Sequence, residues 1–252
     1  MELFDSHAHY NDEKFANETE IVEEIYKAGV TKLITAGYNL ETTKKAIEIA
    51  NIYDFVYATA GISPNDIDDL KEEYFEKIKT LAKDEKVIAI GEIGLDYYWN
   101  KENKDIQKHA FIQQIKIANE LDLPIVIHTR EAVQDTLEIL KTHKTRGVFH
   151  CCPLNIELIK EGLKLGFYIS FAGPITFKNS KNANQVIEYV PLEKMLIETD
   201  SPYLSPEPLR GTRNDSRNVK YIAQKIADVK NIPLEEVARI TYENAKKVFN
   251  IE

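Results

Sequence analysis

Eight short apolar runs recur along this chain with helically spaced segments between them, and no other feature restricts the fold as strongly. The runs are Glu2–His7, Lys32–Gly37, Phe55–Gly61, Val87–Glu92, Pro124–His128, Gly147–His150, Phe167–Phe171 and Lys194–Thr199. Strand-like runs that alternate with helical patterns indicate βαβ units and a parallel sheet. Eight such units in 252 residues match a closed barrel, which typically needs ~250 residues. The expected fold is therefore α/β, a (β/α)8 TIM barrel forming a single domain over residues 1–252. A doubly wound open sheet is the alternative, but no Gly-rich phosphate loop follows the first run.

The intervening segments carry the apolar stripe of amphipathic helices. Ile106, Ala110, Ile117 and Leu121 line one face after the fourth strand, and Ile156, Ile159 and Leu163 another before the seventh. Gly166 then supplies a C-terminal stop. Pro233 opens a last helix with Leu234, Val237, Ala238, Thr241, Ala245 and Val248 on its inner face.

Polar residues fall where a barrel does its chemistry. His7 and His9 end the first run, Glu92 the fourth, His128 the fifth, His150 the sixth, and Asp200 follows the eighth. The C-terminal ends of barrel strands share one rim, where active sites are built. A single histidine at a strand end is more often structural than a ligand. Charged or ligating groups at the same end of five strands call for a joint explanation. Four imidazoles and two carboxylates exceed one tetrahedral ion and suit two divalent ions with open positions. Glu92, with two oxygens to share, is the natural bridge. Nitrogen-rich ligation favours Zn, Mn, Co or Ni, although availability can select Mg or Mn. Asp5 shares a strand face with His7 and is expected to accept from a ligand imidazole. Glu198, in phase with Asp200, is expected just below it. His109 and His143 read as surface residues.

Composition narrows the partners. The net charge of −9 argues against a protein that coats nucleic acid electrostatically. From Arg210 to Lys220, however, three Arg and one Lys stand against one Asp. Arg210 and Arg213 in that stretch, together with Arg130 two residues past His128, are the candidate substrate contacts, since guanidinium grips phosphate in a bidentate manner. A solvated loop paired with surface acids is the competing reading of the stretch. Tyr97, Tyr98 and Trp99 follow Glu92, and loop aromatics of this kind more often pack down as lid or local core than stack on a base. The two cysteines, Cys151 and Cys152, are adjacent and build no disulfide framework. With no secretory pattern at the N-terminus and only strand-sized apolar runs, a cytoplasmic protein without a membrane partner is expected.

Taken together, several ordered motifs resemble the TatD family of metal-dependent deoxyribonucleases, within the amidohydrolase-like barrels. They are Asp5-Ser6-His7-Ala8-His9, Gly91-Glu92-Ile93-Gly94-Leu95-Asp96, Ile127-His128-Thr129-Arg130, His150-Cys151, Glu198-Thr199-Asp200-Ser201-Pro202-Tyr203-Leu204 and Arg210-Gly211 with Arg213-Asn214. The resemblance implies that His7, His9, Glu92, His128, His150 and Asp200 are the metal ligands. It also implies exonuclease-like cleavage of DNA from a strand end, with Asp200 helping to activate the attacking water. Two positions depart from the pattern: Gly61-Ile62-Ser63-Pro64 carries serine where the family commonly has histidine, and Cys152-Pro153 follows His150-Cys151. A same-fold hydrolase of small esters, lactones or amides is the first rival, and a metal-binding scaffold without catalysis the second.

Overall fold

The computed structural model describes residues 1–16, 20–68 and 70–252. Its strands are β1 (Leu3–Ala8), β2 (Val30–Ala36), β3 (Val56–Ala60), β4 (Val87–Asp96), β5 (Ile125–Arg130), β6 (Gly147–Phe149), β7 (Tyr168–Phe171) and β8 (Met195–Ile197). They lie side by side in sequence order, every neighbouring pair parallel. The first and last strands meet through their C-terminal extensions. The Asp200 amide donates to the His7 carbonyl at 2.9 Å, and the His9 amide to the Ser201 carbonyl at 2.7 Å. The protein is a TIM barrel.

Helices α1 (Glu20–Lys27), α2 (Leu40–Ile52), α3 (Glu73–Leu81), α4 (Lys104–Glu120), α5 (Val133–Thr142), α6 (Ile156–Lys164), α7 (Ala183–Tyr189), α8 (Val219–Lys230) and α9 (Leu234–Phe249) connect and follow the strands. Two apolar clusters result. The larger one, with Leu33, Ile127, Phe149 and Ile197, lies between the sheet and the helices. The smaller one takes the opposite strand phase: Phe4, Ile34, Ile88, Val126, Val148, Tyr168 and Leu196, sealed by Ala245, Val248 and Phe249 of α9. Because side chains alternate across a strand, this second set fills the barrel interior below the rim.

Three strands end two residues or more from the sequence reading, the other C-terminal ends lying within one. β4 continues past Glu92 to Asp96, and β5 past His128 to Arg130, so these two run alongside each other above the site. Their register shifts between Ile90 and Ile93, and the Gly91–Glu92 peptide bond within that stretch is cis. β8 is shorter than expected and stops at Ile197, leaving Glu198–Asp200 on an irregular extension.

The inner face of α4 is also rotated from its apolar pattern. Ile106 is exposed, while Gln107 and Gln114 are fully buried. Each glutamine amide caps loop backbone. Gln107 accepts from the Asp96 amide and donates to the Asp96 carbonyl, and Gln114 does the same at Ile62. Periodicity tracks apolar side chains, so it passes over a polar residue buried to satisfy main chain. The expected faces of α6 and α9 are present, with Ile159, Val237, Ala238, Thr241, Ala245 and Val248 all buried.

Candidate metal centre

The six residues at the strand ends converge. His7 lies on β1 and His9 just beyond it, Glu92 on β4, His128 on β5, His150 just after β6, and Asp200 on the extension of β8. His7 Nε2 and His9 Nε2 are 3.2 Å apart. Asp200 Oδ1 lies 3.3 Å from His9 Nε2 and 3.7 Å from His7 Nε2. Glu92 divides its carboxylate between two groups. Its Oε2 faces His7 and His9 at 3.5 and 3.8 Å, and its Oε1 faces His128 Nδ1 and His150 Nε2 at 2.9 and 3.6 Å. Three overlapping triads, His7–His150–Asp200, His7–His9–Glu92 and Glu92–His128–His150, keep their donor atoms within 4.8 Å of one another. Such sets can hold metal ions.

Three of the four imidazoles are turned toward the cluster by what their other nitrogen touches. His9 Nδ1 is 3.1 Å from the Ala36 carbonyl, His150 Nδ1 3.0 Å from Glu198 Oε1, and His128 Nε2 2.8 Å from Asp96 Oδ2. An acceptor opposite the far nitrogen holds the ring proton there as a donating N–H and leaves the near lone pair free for a cation. Within the described residues the far nitrogen of His7, Nδ1, is buried without a partner.

The electrostatics fit positive charge at this place. Burial lowers the His128 pKa, but hydrogen bonds to Asp96 and Glu92 outweigh it and put the group at about 9. Burial likewise opposes protonation of His150, and Glu198 with Glu92 carries it up to about 10. Glu92 is held well below its usual range despite burial, by His150, His128 and His7. Carboxylates that stabilise protonated imidazoles this strongly also stabilise a divalent cation, which displaces those protons on binding. The donor set therefore fits metal.

Backbone geometry contributes. Asp200 and Cys151 both adopt left-handed conformations, with φ of 57° and 43°. Non-glycine residues take up such strain where the surroundings fix it, often at functional sites. The Cys151 amide donates to Glu198 Oε1 at 2.7 Å, so one carboxylate holds both that turn and the His150 ring. Gly94, at φ 142°, lies so close to the His128 backbone that any Cβ would overlap its carbonyl. A side chain there would push β5 away from the site.

Asp5 corrects the sequence expectation. Among the described residues it shares no hydrogen bond with an imidazole; its carboxylate accepts from the His7 and Thr199 amides and from the Thr199 and Ser216 hydroxyls. Burial pushes it up to about 7 against those hydrogen bonds. It ties β1 to the segment after β8, beneath the cluster. Glu198 does meet a ring, that of His150. Asp96, which the sequence reading quoted in a motif without a role, is the carboxylate that orients His128. Its position four residues past Glu92 hid it, because the continuation of β4 to Asp96 leaves no apolar run to read.

The cluster lies on the floor of a cavity of about 1260 Å³, lined also by Ser63, Trp99, Arg130, Cys151 and Tyr203. Arg130 thus reaches this cavity, whereas Arg210 and Arg213 are not among its lining residues. Arg210 stacks over Phe177 at 3.7 Å and Arg213 donates to the Lys14 carbonyl at 2.8 Å. Arg217 is paired with Asp215 and Glu24. The aromatic run splits. Tyr97 is buried and donates to Asp135, but Tyr98 and Trp99 remain 48% and 69% exposed. Burial and the surrounding carboxylates raise the Cys151 thiol well above its usual range, so it is no ready nucleophile.

Comparison with known proteins decides the family. The profile described as TatD related DNase matches residues 4–250. The chain belongs to the TatD family. It is 46% identical to the metal-dependent hydrolase YabD of Bacillus subtilis strain 168, across 99% of each chain. It is 36% identical to the metal-dependent hydrolase YcfH of Escherichia coli K12, across 100% of this chain and 97% of that one. The crystal structure of a TatD homologue from Escherichia coli K12 superposes with a TM-score of 0.94 at 25% identity, covering 99% of this chain and 98% of the other. The protein is thus a TatD-family metal-dependent hydrolase. No helix among its described residues is long and apolar enough to cross a membrane.

Proposed function

We propose that this TatD-family hydrolase cleaves phosphodiester bonds of DNA, removing nucleotides from a strand end. The observation that carries the reading is the divided Glu92 carboxylate, one oxygen toward His7 and His9 and the other toward His128 and His150. That division suits two divalent cations, Mg, Mn, Zn, Co or Ni. His7, His9, Glu92 and Asp200 would hold one and Glu92, His128 and His150 the other. Bound cations of this kind lower the pKa of water and polarise a phosphoryl oxygen.

The residues supply the rest. Asp200 stands at the cavity floor with its carboxylate held ionised by His9, His150 and His7 against burial, ready to take a proton from the attacking water. Glu198 and Asp96 fix the rings that face the cluster, so little reorganisation is needed when substrate arrives. Arg130, exposed at the rim and two residues beyond His128, is available to a non-bridging phosphate oxygen. The same reading takes the enzyme to work in the cytoplasm on DNA, with no membrane partner.

The test is degradation of end-labelled single-stranded DNA in Mg or Mn. Wild-type protein should shorten the strand stepwise, and Asp200→Asn should lose turnover by about 10³-fold, the scale of a lost general base. Intact DNA with both proteins, while wild type hydrolyses small esters or lactones, would replace this reading with the same-fold small-molecule hydrolase.

A further inference from the structure

Resting on the nuclease reading above, we infer that Trp99, Tyr98 and Arg130 form a subsite that takes one unpaired base of the DNA strand by stacking. The geometry is specific. The Arg130 guanidinium lies over the Tyr98 ring at 3.7 Å and reaches the Trp99 ring at 5.5 Å. Tyr98 and Trp99 meet edge to face, centroids 4.9 Å apart and planes at 83°. Arg130 and Trp99 line the same cavity as His9, Glu92, His128, His150 and Asp200.

Three further observations separate this arrangement from an ordinary surface aromatic. First, Trp99 is the most exposed aromatic side chain among the described residues, at 69%. Leaving an indole in water forfeits the burial such a ring normally provides. Second, the loop is fixed rather than loose. Asp96 Oδ1 accepts from the amides of both Tyr98 and Trp99, and Gln107 donates to the Asn100 carbonyl. The same Asp96 carboxylate holds His128, so the platform is built onto the ligand framework itself. Third, among the described residues Arg130 forms no salt bridge, and its ring stacking leaves the N–H edge unengaged.

A flat, exposed π-face beside a cation with free N–H groups matches a nucleotide. The base stacks on the indole, and the guanidinium edge donates to the adjacent phosphate. Arg130 and His128 share a strand face, about 7 Å apart by strand rise, so a phosphate at Arg130 neighbours the reacting one. Stacking accepts any base, so the subsite selects for an unpaired base over a stacked duplex and sets no sequence preference. A duplex end would have to unpair to use it.

Trp99 is the only tryptophan in the chain, so its fluorescence reports this subsite alone. The Asp200→Asn protein in Mn should show quenching by a thymidine decamer and markedly less by the same decamer with abasic residues at both terminal positions. In kinetics with an Asp200 background restored, Trp99→Ala should raise KM for the decamer by about 10- to 100-fold and leave kcat nearly unchanged. Trp99→Phe should recover most of it. The abasic ends should raise KM for wild type and add nothing further to Trp99→Ala, because the two changes remove one contact. An unchanged KM in Trp99→Ala while DNA is still cut overturns the subsite and leaves the nuclease reading standing. So does a Trp99→Ala effect that multiplies with the abasic one. Wild-type protein that leaves the decamer intact overturns the nuclease reading, and the subsite with it.

Discussion

The two ends of the barrel interior are built on the same strands two residues apart, and they differ completely. Val126 sits in the apolar floor and His128 in the cluster above it; Val148 and His150 repeat the step, and Leu196, Glu198 and Asp200 extend it to a third column. At the floor, α9 closes the barrel with Ala245, Val248 and Phe249 against Phe4, Ile34, Val126, Val148 and Leu196. At the rim, polar groups are buried, with His9, His128 and His150 each held by an acceptor and left-handed backbone at Cys151 and Asp200. The floor is where burial of apolar surface stabilises the fold. The rim is where a buried carboxylate and imidazole set is kept despite its desolvation cost. Folding and chemistry are therefore separable by position along a strand.

The comparison can be broken by substitutions at each end. The largest effect belongs to Asp200→Asn, which should lower turnover by about 10³-fold while the thermal midpoint stays put or rises. A large fall in the midpoint would mean that the rim also carries the fold. Next comes Phe249→Ala at the floor. It should cost about 3–5 kcal/mol of unfolding free energy, as aromatic truncations in cores do, with the activity per folded molecule retained. Denaturant titration beside a rate measurement decides it, and lost activity in fully folded protein would contradict the division.

A smaller effect is expected from Glu198→Gln, which keeps an acceptor near His150 but removes the charge. Metal affinity should drop by about 10- to 100-fold, the range for groups that orient ligands, and competition with a chelator measures it. No change would reduce Glu198 to a support for the Cys151 turn. The smallest effect is at Arg217, paired with Asp215 and Glu24 on the surface. Arg217→Ala should change stability by less than about 1 kcal/mol and leave DNA cleavage as it was. A large rise in KM there would restore a substrate role to the basic stretch after β8.

How much of this was legible follows from the same contrast. The floor and the strands are written in continuous apolar runs, as parallel strands buried on both faces are, so the barrel could be read directly. The clustering of His7, His9, Glu92, His128, His150 and Asp200 was legible because each polar residue stands at the end of such a run. What escaped was polar side chains serving other polar groups. Gln107 and Gln114 bond loop backbone, Asp96 orients His128 from a strand extension, and Asp5 ties Thr199 and Ser216 instead of an imidazole. None of these leaves a periodic trace, because each partner lies far away in sequence. Composition misled at Arg210–Lys220, where a +3 stretch is largely engaged with Phe177, Lys14, Asp215 and Glu24.

The most direct test of the account is the metal content of the folded protein. After reconstitution with Mn and exhaustive dialysis, elemental analysis should find two ions per chain for wild type, and fewer for His128→Asn. One ion or none in the wild-type protein would contradict the division of Glu92 between two cations and, with it, the two-metal reading of the rim.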